Sequence, residues 1–207
     1  MLPQGYTLEN TRAAHAQDLE ALQKIVFPTL SPDELMQARH YLNHIRIFPE
    51  GQFVLLDGAR VVGMTTTIRQ HLTEAPHTFL EISDHLWMNT HLPDGDWLYG
   101  MDVGIHPEHR GQGLARELYR ARQELCRSLG LRGQIIVGML NGYGSRAAYL
   151  SIEEYFEEVL AGRLQDPTVT AQRRIGFEVL RLITNYLDDP QCGHAGALMV
   201  LAVDKEV

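Results

Sequence analysis

The chain has 207 residues, a net charge of −8, 44% hydrophobic residues and two cysteines. That length suits one domain with a sizeable core, expected here to span residues 1–207. The acidic balance speaks against a nucleic-acid partner, two cysteines make no disulfide framework, and no apolar run reaches the roughly eighteen residues that a membrane span needs. A reducing cytoplasm is the expected setting, with no N-terminal signal pattern.

Tyr6 to Arg12 predicts a first strand. Ala13 to Val26 predicts a helix, with Leu19, Leu22, Ile25 and Val26 on one side. Ser31 opens a second helix that runs to about Ile47, with Pro32 suited to the first helical position and Glu34 completing a capping box. Gln52 to Leu56 and Val61 to Arg69 read as two strands joined at Asp57-Gly58, a strong hairpin signal. The stretch from His71 to Asp96 is irregular, with a short helix expected near Asp84 to Trp87. Its His71, His77, His85, Trp87 and His91 are candidates for lining a binding site. A fourth strand follows from Leu98 to Ile105.

Next comes Arg110-Gly111-Gln112-Gly113-Leu114-Ala115, the most telling stretch of the chain. It follows a strand and a His106-Pro107 break, and it opens a helix. Leu114, Leu118, Ala121, Leu125 and Leu129 recur at three- and four-residue steps, so one helical face is apolar. Gly130 suits the position just past the end. A glycine turn that feeds a helix N-terminus exposes several unpaired backbone N–H groups to one point, which makes an anion site. Residues 106–132 carry six Arg and three Glu, a basic island in an acidic chain. That suits a polyanionic ligand, most simply the pyrophosphate of a nucleotide-like cofactor. The Rossmann fingerprint and the Walker loop both fit poorly.

Gln134 to Leu140 predicts a fifth strand. A polar loop, Asn141 to Ser145, leads to a helix over about 151–161 with the capping box Ser151 to Glu154. Asp166-Pro167 opens a further helix that ends at Gly176. Phe177 to Tyr186 and Ala195 to Val203 complete the strands. The result is an α/β arrangement, a mixed sheet of about seven strands with helices on both faces. The spacing of His40 and His44, and of His106 and His109, could serve zinc, but no third ligand is evident and no metal is expected.

This order, with Arg110, Gly113 and Ala115 after the fourth strand, resembles the GCN5-related N-acetyltransferase (GNAT) superfamily over nearly the whole chain. The resemblance implies a twisted mixed sheet splayed between its fourth and fifth strands. Acetyl-CoA would sit in the splay as co-substrate, its pyrophosphate on the amides of Arg110, Gly111, Gln112, Gly113, Leu114 and Ala115. Its pantetheine arm would pair with backbone groups of Val103 and Ile105. The stretches Gly95 to Val103, Asp166-Pro167-Thr168, Gly176-Phe177 and Asn185-Tyr186-Leu187 also resemble an acetyltransferase module fused to some nitrilase-like carbon–nitrogen hydrolases, with no hydrolase expected here after the module.

The implied reaction is direct attack of a small-molecule or amino-acid-like primary amine on the thioester. It needs a proton acceptor for the amine and a proton donor for the thiolate. The family's frequent acid, a Tyr, aligns with Gln172, and its frequent Asn with Gln165. Tyr143 and Tyr149 are the replacements that the sequence offers. For the base, strict alternation along the fourth strand would put Tyr99, Met101, Val103 and Ile105 on one face and Asp102 on the other. A bulge between 101 and 104, permitted by Gly100 and Gly104, would reverse that and make Asp102 the candidate base. The inserted helix is expected to narrow the groove that a peptide acceptor would use. A non-catalytic acyl-CoA sensor or partner module is the alternative. A homodimer through an open sheet edge after the last strand is also expected.

Overall fold

Alternate residues of β-strands face opposite sides, and this chain uses both sides. The computed structural model describes residues 2–73 and 75–207. The elements are β1 (Tyr6–Asn10), α1 (Ala16–Val26), α2 (Ala38–Ile47), β2 (Phe53–Asp57), β3 (Arg60–Thr65), β4 (Thr67–Gln70), α3 (Phe79–Ser83), β5 (Trp97–Gly100) and β6 (Gly104–Ile105). They continue with α4 (Leu114–Ser128), β7 (Gly133–Met139), α5 (Ile152–Leu160), α6 (Val169–Ile175), β8 (Glu178–Ile183) and β9 (Gly196–Ala202). Val54 and Leu56 of β2 join a core with Leu19 and Leu22 of α1. Leu55, between them, packs instead with Leu114 and Leu118 of α4. The helices therefore cover both faces. No helix among the described residues is long and apolar enough to cross a membrane.

The strands form two sheets, in the orders β1-β2-β3-β6 and β4-β5-β7-β9-β8. Two of the predicted strands are broken, and the breaks lie side by side. The run Val61 to Arg69 divides at Thr66 into β3 and β4, and Leu98 to Ile105 divides at residues 101–103 into β5 and β6. β3 pairs with β6 through Met64 and Gly104, and β4 with β5 through Thr67 and Gly100. Among the described residues only β5 and β7 pair in parallel, from Leu98 opposite Gln134 to Gly100 opposite Ile136. Beyond that point β5 ends, while β7 continues to Met139 against β9. The parallel pair thus opens into a wedge-shaped splay. Gly100 at its root leaves room for Arg122, because a Cβ there would lie 2.2 Å from the guanidinium and displace it.

Three local expectations are corrected. Ser31 does not start the second helix. Pro32–Glu34 make a single 3-10 turn, and α2 begins only after Gln37. The Glu34 carboxylate caps no helix, because it accepts the backbone N–H of Asp188 at 2.7 Å. The helix expected at Asp84 to Trp87 forms earlier as α3, where Thr78 and Glu81 make a capping box, and it stops at left-handed Asp84. Finally, the last strand is not an edge: β9 is enclosed between β7 and β8, and the five-stranded sheet ends at β4 and β8. The capping box at Ser151 and Glu154, the left-handed Gly130 beyond α4 and the hairpin at Gly58 form as expected.

Candidate active site

The splay opens into a cavity of about 900 Å³. One end is the glycine turn. Gly111 and Gly113 have φ of 78° and 79°, a left-handed conformation that glycine adopts at little cost. A Cβ at either would meet nothing within 4 Å, so both backbones face open space. None of the amides of residues 111–115 has a hydrogen-bond partner among the described residues, and α4 begins at Leu114. Five successive free amides at the positive end of a 15-residue helix form an anion cradle. Arg110 and Arg116 line the same end, together with Gly111, Gly113, Leu114 and Ala115. Gln112 stands outside the lining, and its side-chain oxygen accepts the Tyr6 hydroxyl at 3.1 Å. Arg110 is oriented by its own Nε, which donates to the Ile105 carbonyl at 3.0 Å. Arg110→Ala is therefore expected to weaken CoA affinity by about tenfold at low ionic strength. The loss should shrink at high salt, where screening weakens this charge contact, and titration calorimetry at two salt concentrations checks it.

The middle of the cavity is the strand break. The N–H groups of Met101 and His106 both point back into the sheet, to the carbonyls of Thr66 and Val62 at 2.9 and 2.8 Å. These two residues are an odd number apart, so regular alternation fails between them. The extra residue is the bulge that the glycines permit, and it turns Asp102 into the cavity lining. Because His106 pairs inward, alternation aims the Ile105 amide at the splay, and Val103 lines the cavity beside it.

Asp102 is held at both carboxylate oxygens and at its main-chain carbonyl. Its Oδ1 accepts the Thr66 N–H at 2.6 Å, and its Oδ2 accepts Gln23 Nε2 at 2.8 Å. Its main-chain carbonyl accepts the Thr65 hydroxyl at 2.7 Å and the Arg122 guanidinium. Burial pushes its pKa from 3.8 up to about 6, against the lowering effects of the Thr66 amide, the Arg122 charge and the Gln23 bond. A carboxylate tuned to that range can take a proton near neutral pH.

Across the cavity, Tyr119 of α4 is 5% exposed, and its hydroxyl accepts Gln172 Nε2 at 2.9 Å. The proton of that hydroxyl has no acceptor among the described residues. Burial raises its pKa, opposed by Arg122, whose guanidinium lies 5.4 Å from the ring centroid. Gln172 also lines the cavity, and its Oε1 is buried without a partner. Sequence reasoning missed Tyr119. Its one signal was a tyrosine next to Leu118 on the buried face of α4.

The expected tyrosines lie elsewhere. Tyr149 is 85% exposed, and neither it nor Tyr143 lines the cavity. Tyr143 packs edge-on against Tyr155 of α5, ring centroids 5.7 Å apart. No residue of α5 lines the cavity either. Gln165 is exposed and bonds Arg174 at 3.4 Å. The histidines and Trp87 of the 71–96 segment also stand outside this lining, where only Phe79 represents that segment. Trp87 packs on His40 instead, and His44 bonds the Leu86 carbonyl at 2.6 Å. His106, Glu108 and His109 bring ligand atoms within 4.8 Å of one another, but the Arg60 guanidinium already sits on His106 and Glu108 at 3.1 and 3.2 Å.

The model of the acetyltransferase (GNAT) family matches residues 16–153. The chain belongs to the GNAT acetyltransferase family. This GNAT protein is 31% identical over 199 residues to Uncharacterized N-acetyltransferase YkwB of Bacillus subtilis, covering 95% of this chain and 88% of the relative. It is 34% identical over 170 residues to Probable hydrolase YhcX of the same organism, covering 81% of this chain but only 33% of the relative. The chain therefore spans about a third of YhcX.

Among solved structures, the loading GNATL domain of CurA from Lyngbya majuscula has a TM-score of 0.80 at 20% identity, covering 96% of this chain and 98% of that one. The GphF GNAT-like decarboxylase in complex with isobutyryl-CoA has 0.79 at 21%, covering 95% and 99%. The protein yncA of Salmonella typhimurium, solved with its cofactor acetyl-CoA, has 0.61 at 15%, covering 99% and 97%. These likenesses show the GNAT fold.

Proposed function

We propose that this GNAT protein transfers the acetyl group of acetyl-CoA to a small primary amine by direct attack in a ternary complex. One observation carries the reading: Gly111, Gly113, Leu114 and Ala115, whose amides are free, line one cavity together with Asp102 and Tyr119. The cradle fits a pyrophosphate, with positive charge, open backbone and no Cβ in the way. The Val103 and Ile105 backbone offers an edge to the amides of a pantetheine arm. Acetyl-CoA, when bound, supplies the acyl group as a thioester.

The residues of the chain then have separate tasks. Ionised Asp102 takes a proton from the acceptor ammonium, leaving a neutral nitrogen. As the N–C bond forms and the C–S bond breaks, the Tyr119 proton passes to the thiolate sulfur. The nitrogen then sheds its remaining extra proton to become an amide, which restores the Tyr119 hydroxyl by way of solvent, and Asp102 returns its own proton to solvent. Gln172 holds that hydroxyl in place by donating to its oxygen. Tyr119 thus takes the part assigned to Tyr143 and Tyr149 from sequence, because neither of those reaches the cavity.

Tyr119→Phe keeps the ring that packs on Phe177 and removes only the proton. Its kcat is expected to fall by about 10²-fold while the KM for acetyl-CoA stays within about twofold. Thiol release from acetyl-CoA across a panel of amines tests the reading as a whole. Turnover with a subset of amines supports it, and CoA binding without turnover on any amine favours the acyl-CoA sensor.

The likeness in fold to the GphF decarboxylase raises a second reading, loss of CO2 from a carboxyacyl-CoA. The lining argues against it. Glu34, Asp102 and Asp189 face the cavity beyond the cradle and would repel a free acyl carboxylate. Malonyl-CoA should therefore not be consumed. A dimer through the β8 edge, where Leu180 is 48% exposed, and action beside a separate hydrolase remain parts of this proposal.

A further inference from the structure

The cavity is electrically polarised along its length. Its three arginines, Arg110, Arg116 and Arg174, stand around the cradle and α6. Beyond Asp102, the lining passes to the segment after α1 and the segment before β9, where it holds Glu34 and Asp189 and neither Lys nor Arg. The same lining carries the apolar side chains of Phe27, Leu30, Met36, Phe79 and Leu187. This end is more than an acidic cluster, because the two carboxylates differ in what they do.

Asp189 is fully engaged. Its Oδ1 accepts the Gln191 N–H at 2.8 Å and its Oδ2 the Thr29 hydroxyl at 2.7 Å. Glu34 is not. It is 5% exposed, and one oxygen accepts the Asp188 N–H. Its Oε1 has no partner among the described residues, and no cation pairs with it. The nearby His194 is already paired with Asp188 at 3.3 Å. Burial raises the Glu34 pKa, helped by repulsion from Asp188 and Asp189 and opposed by the Asp188 amide and His194. The Glu34 Oε1 is not sealed in protein, so a cation in the cavity can reach it and pair with it.

We propose that Glu34 holds a second, distal cationic group of the acceptor, so that the preferred acceptor is a primary amine with another positive charge across an apolar spacer. The inference rests on the acetyl-transfer reading and names the substrate class for it. Asp102 removes a proton from the reacting nitrogen, and Glu34 keeps the distal one charged. The apolar side chains of the lining take the methylenes. A monoamine of equal length would leave Glu34 unpaired.

The test compares straight-chain α,ω-diamines with monoamines of the same length, diaminobutane against butylamine and diaminopentane against pentylamine, in wild type and Glu34→Gln. Glutamine still offers an oxygen to the Asp188 N–H, and a thermal melt of each protein checks the fold. In wild type, kcat/KM should favour the diamine by roughly ten- to hundredfold. Glu34→Gln should abolish that preference, chiefly through the KM for the diamine. Calorimetric binding of each amine to the CoA-bound protein gives a second readout that does not depend on turnover. If no amine is acetylated but the diamines bind in a Glu34-dependent way, the acetyl-transfer reading falls and the cation site stands. If amines are acetylated with no diamine preference, or with one that Glu34→Gln leaves intact, the cation site is overturned and acetyl transfer stands. If neither turnover nor Glu34-dependent binding occurs, both fall.

Discussion

Asp102→Asn should lower kcat/KM by about 10² to 10⁴-fold, the range for loss of a general base. Asparagine keeps an oxygen for the Thr66 N–H and nearly the same volume, so the bulge should persist. The pH profile distinguishes a base from a scaffold. Asp102 acts only when ionised, so wild-type activity should rise with pH through about 6. The variant should lack that limb.

Stability should move the other way. The folded pKa is raised above its unfolded value, so the folded state binds this proton more tightly. Its stabilising contribution is full below about pH 4, the ordinary aspartate range, and is lost as pH rises through about 6. Asp102→Asn escapes that loss. It should melt higher than wild type at pH 8, by of order 2 kcal/mol, and show no such advantage at pH 4. A variant that is less active and more stable would mark Asp102 as a group kept for chemistry at a cost in stability. An unchanged pH profile would reduce it to a structural carboxylate.

Gly113→Val should lower acetyl-CoA affinity by more than about 100-fold, because it disrupts the close approach of phosphate to several amides at once. The ideal Cβ at this position points into open space, the same space that a pyrophosphate would use. The left-handed φ of 79° adds a folding cost of about 1–2 kcal/mol for a side chain with a Cβ. That is small against the 5–15 kcal/mol that typically holds a domain. The melt should drop modestly while calorimetry with acetyl-CoA goes silent. Retained affinity with an intact fold would remove the cradle from the account.

The parts of the site that were legible in the sequence are those set by local backbone chemistry. Two left-handed glycines before an amphipathic helix specify the cradle wherever the rest of the chain lies. Asp102 was half legible. Gly100 and Gly104 permit a bulge, but what produces it is tertiary, with β3/β4 and β5/β6 breaking together and Thr66 bonding the carboxylate. Glu34 was misread because Ser31-Pro32-Asp33-Glu34 carries a good local capping pattern. Long-range pairing with the Asp188 amide overrides it, and that choice brings a carboxylate to the cavity. Tyr119 was invisible because the pattern Leu114, Leu118, Ala121 accounts for the buried face of α4 without it. Its role depends on Gln172, which is distant in sequence. Tyr143 and Tyr149 follow the fifth strand closely, yet the loop carries them toward α5 and away from the splay.

The most direct test of the account is a crystal structure with acetyl-CoA bound. The predicted result places pyrophosphate oxygens at hydrogen-bond distance, about 2.7–3.2 Å, from amides within residues 111–115, with the thioester between Asp102 and the Tyr119 hydroxyl. A pyrophosphate bound elsewhere, or a thioester remote from both side chains, would contradict it.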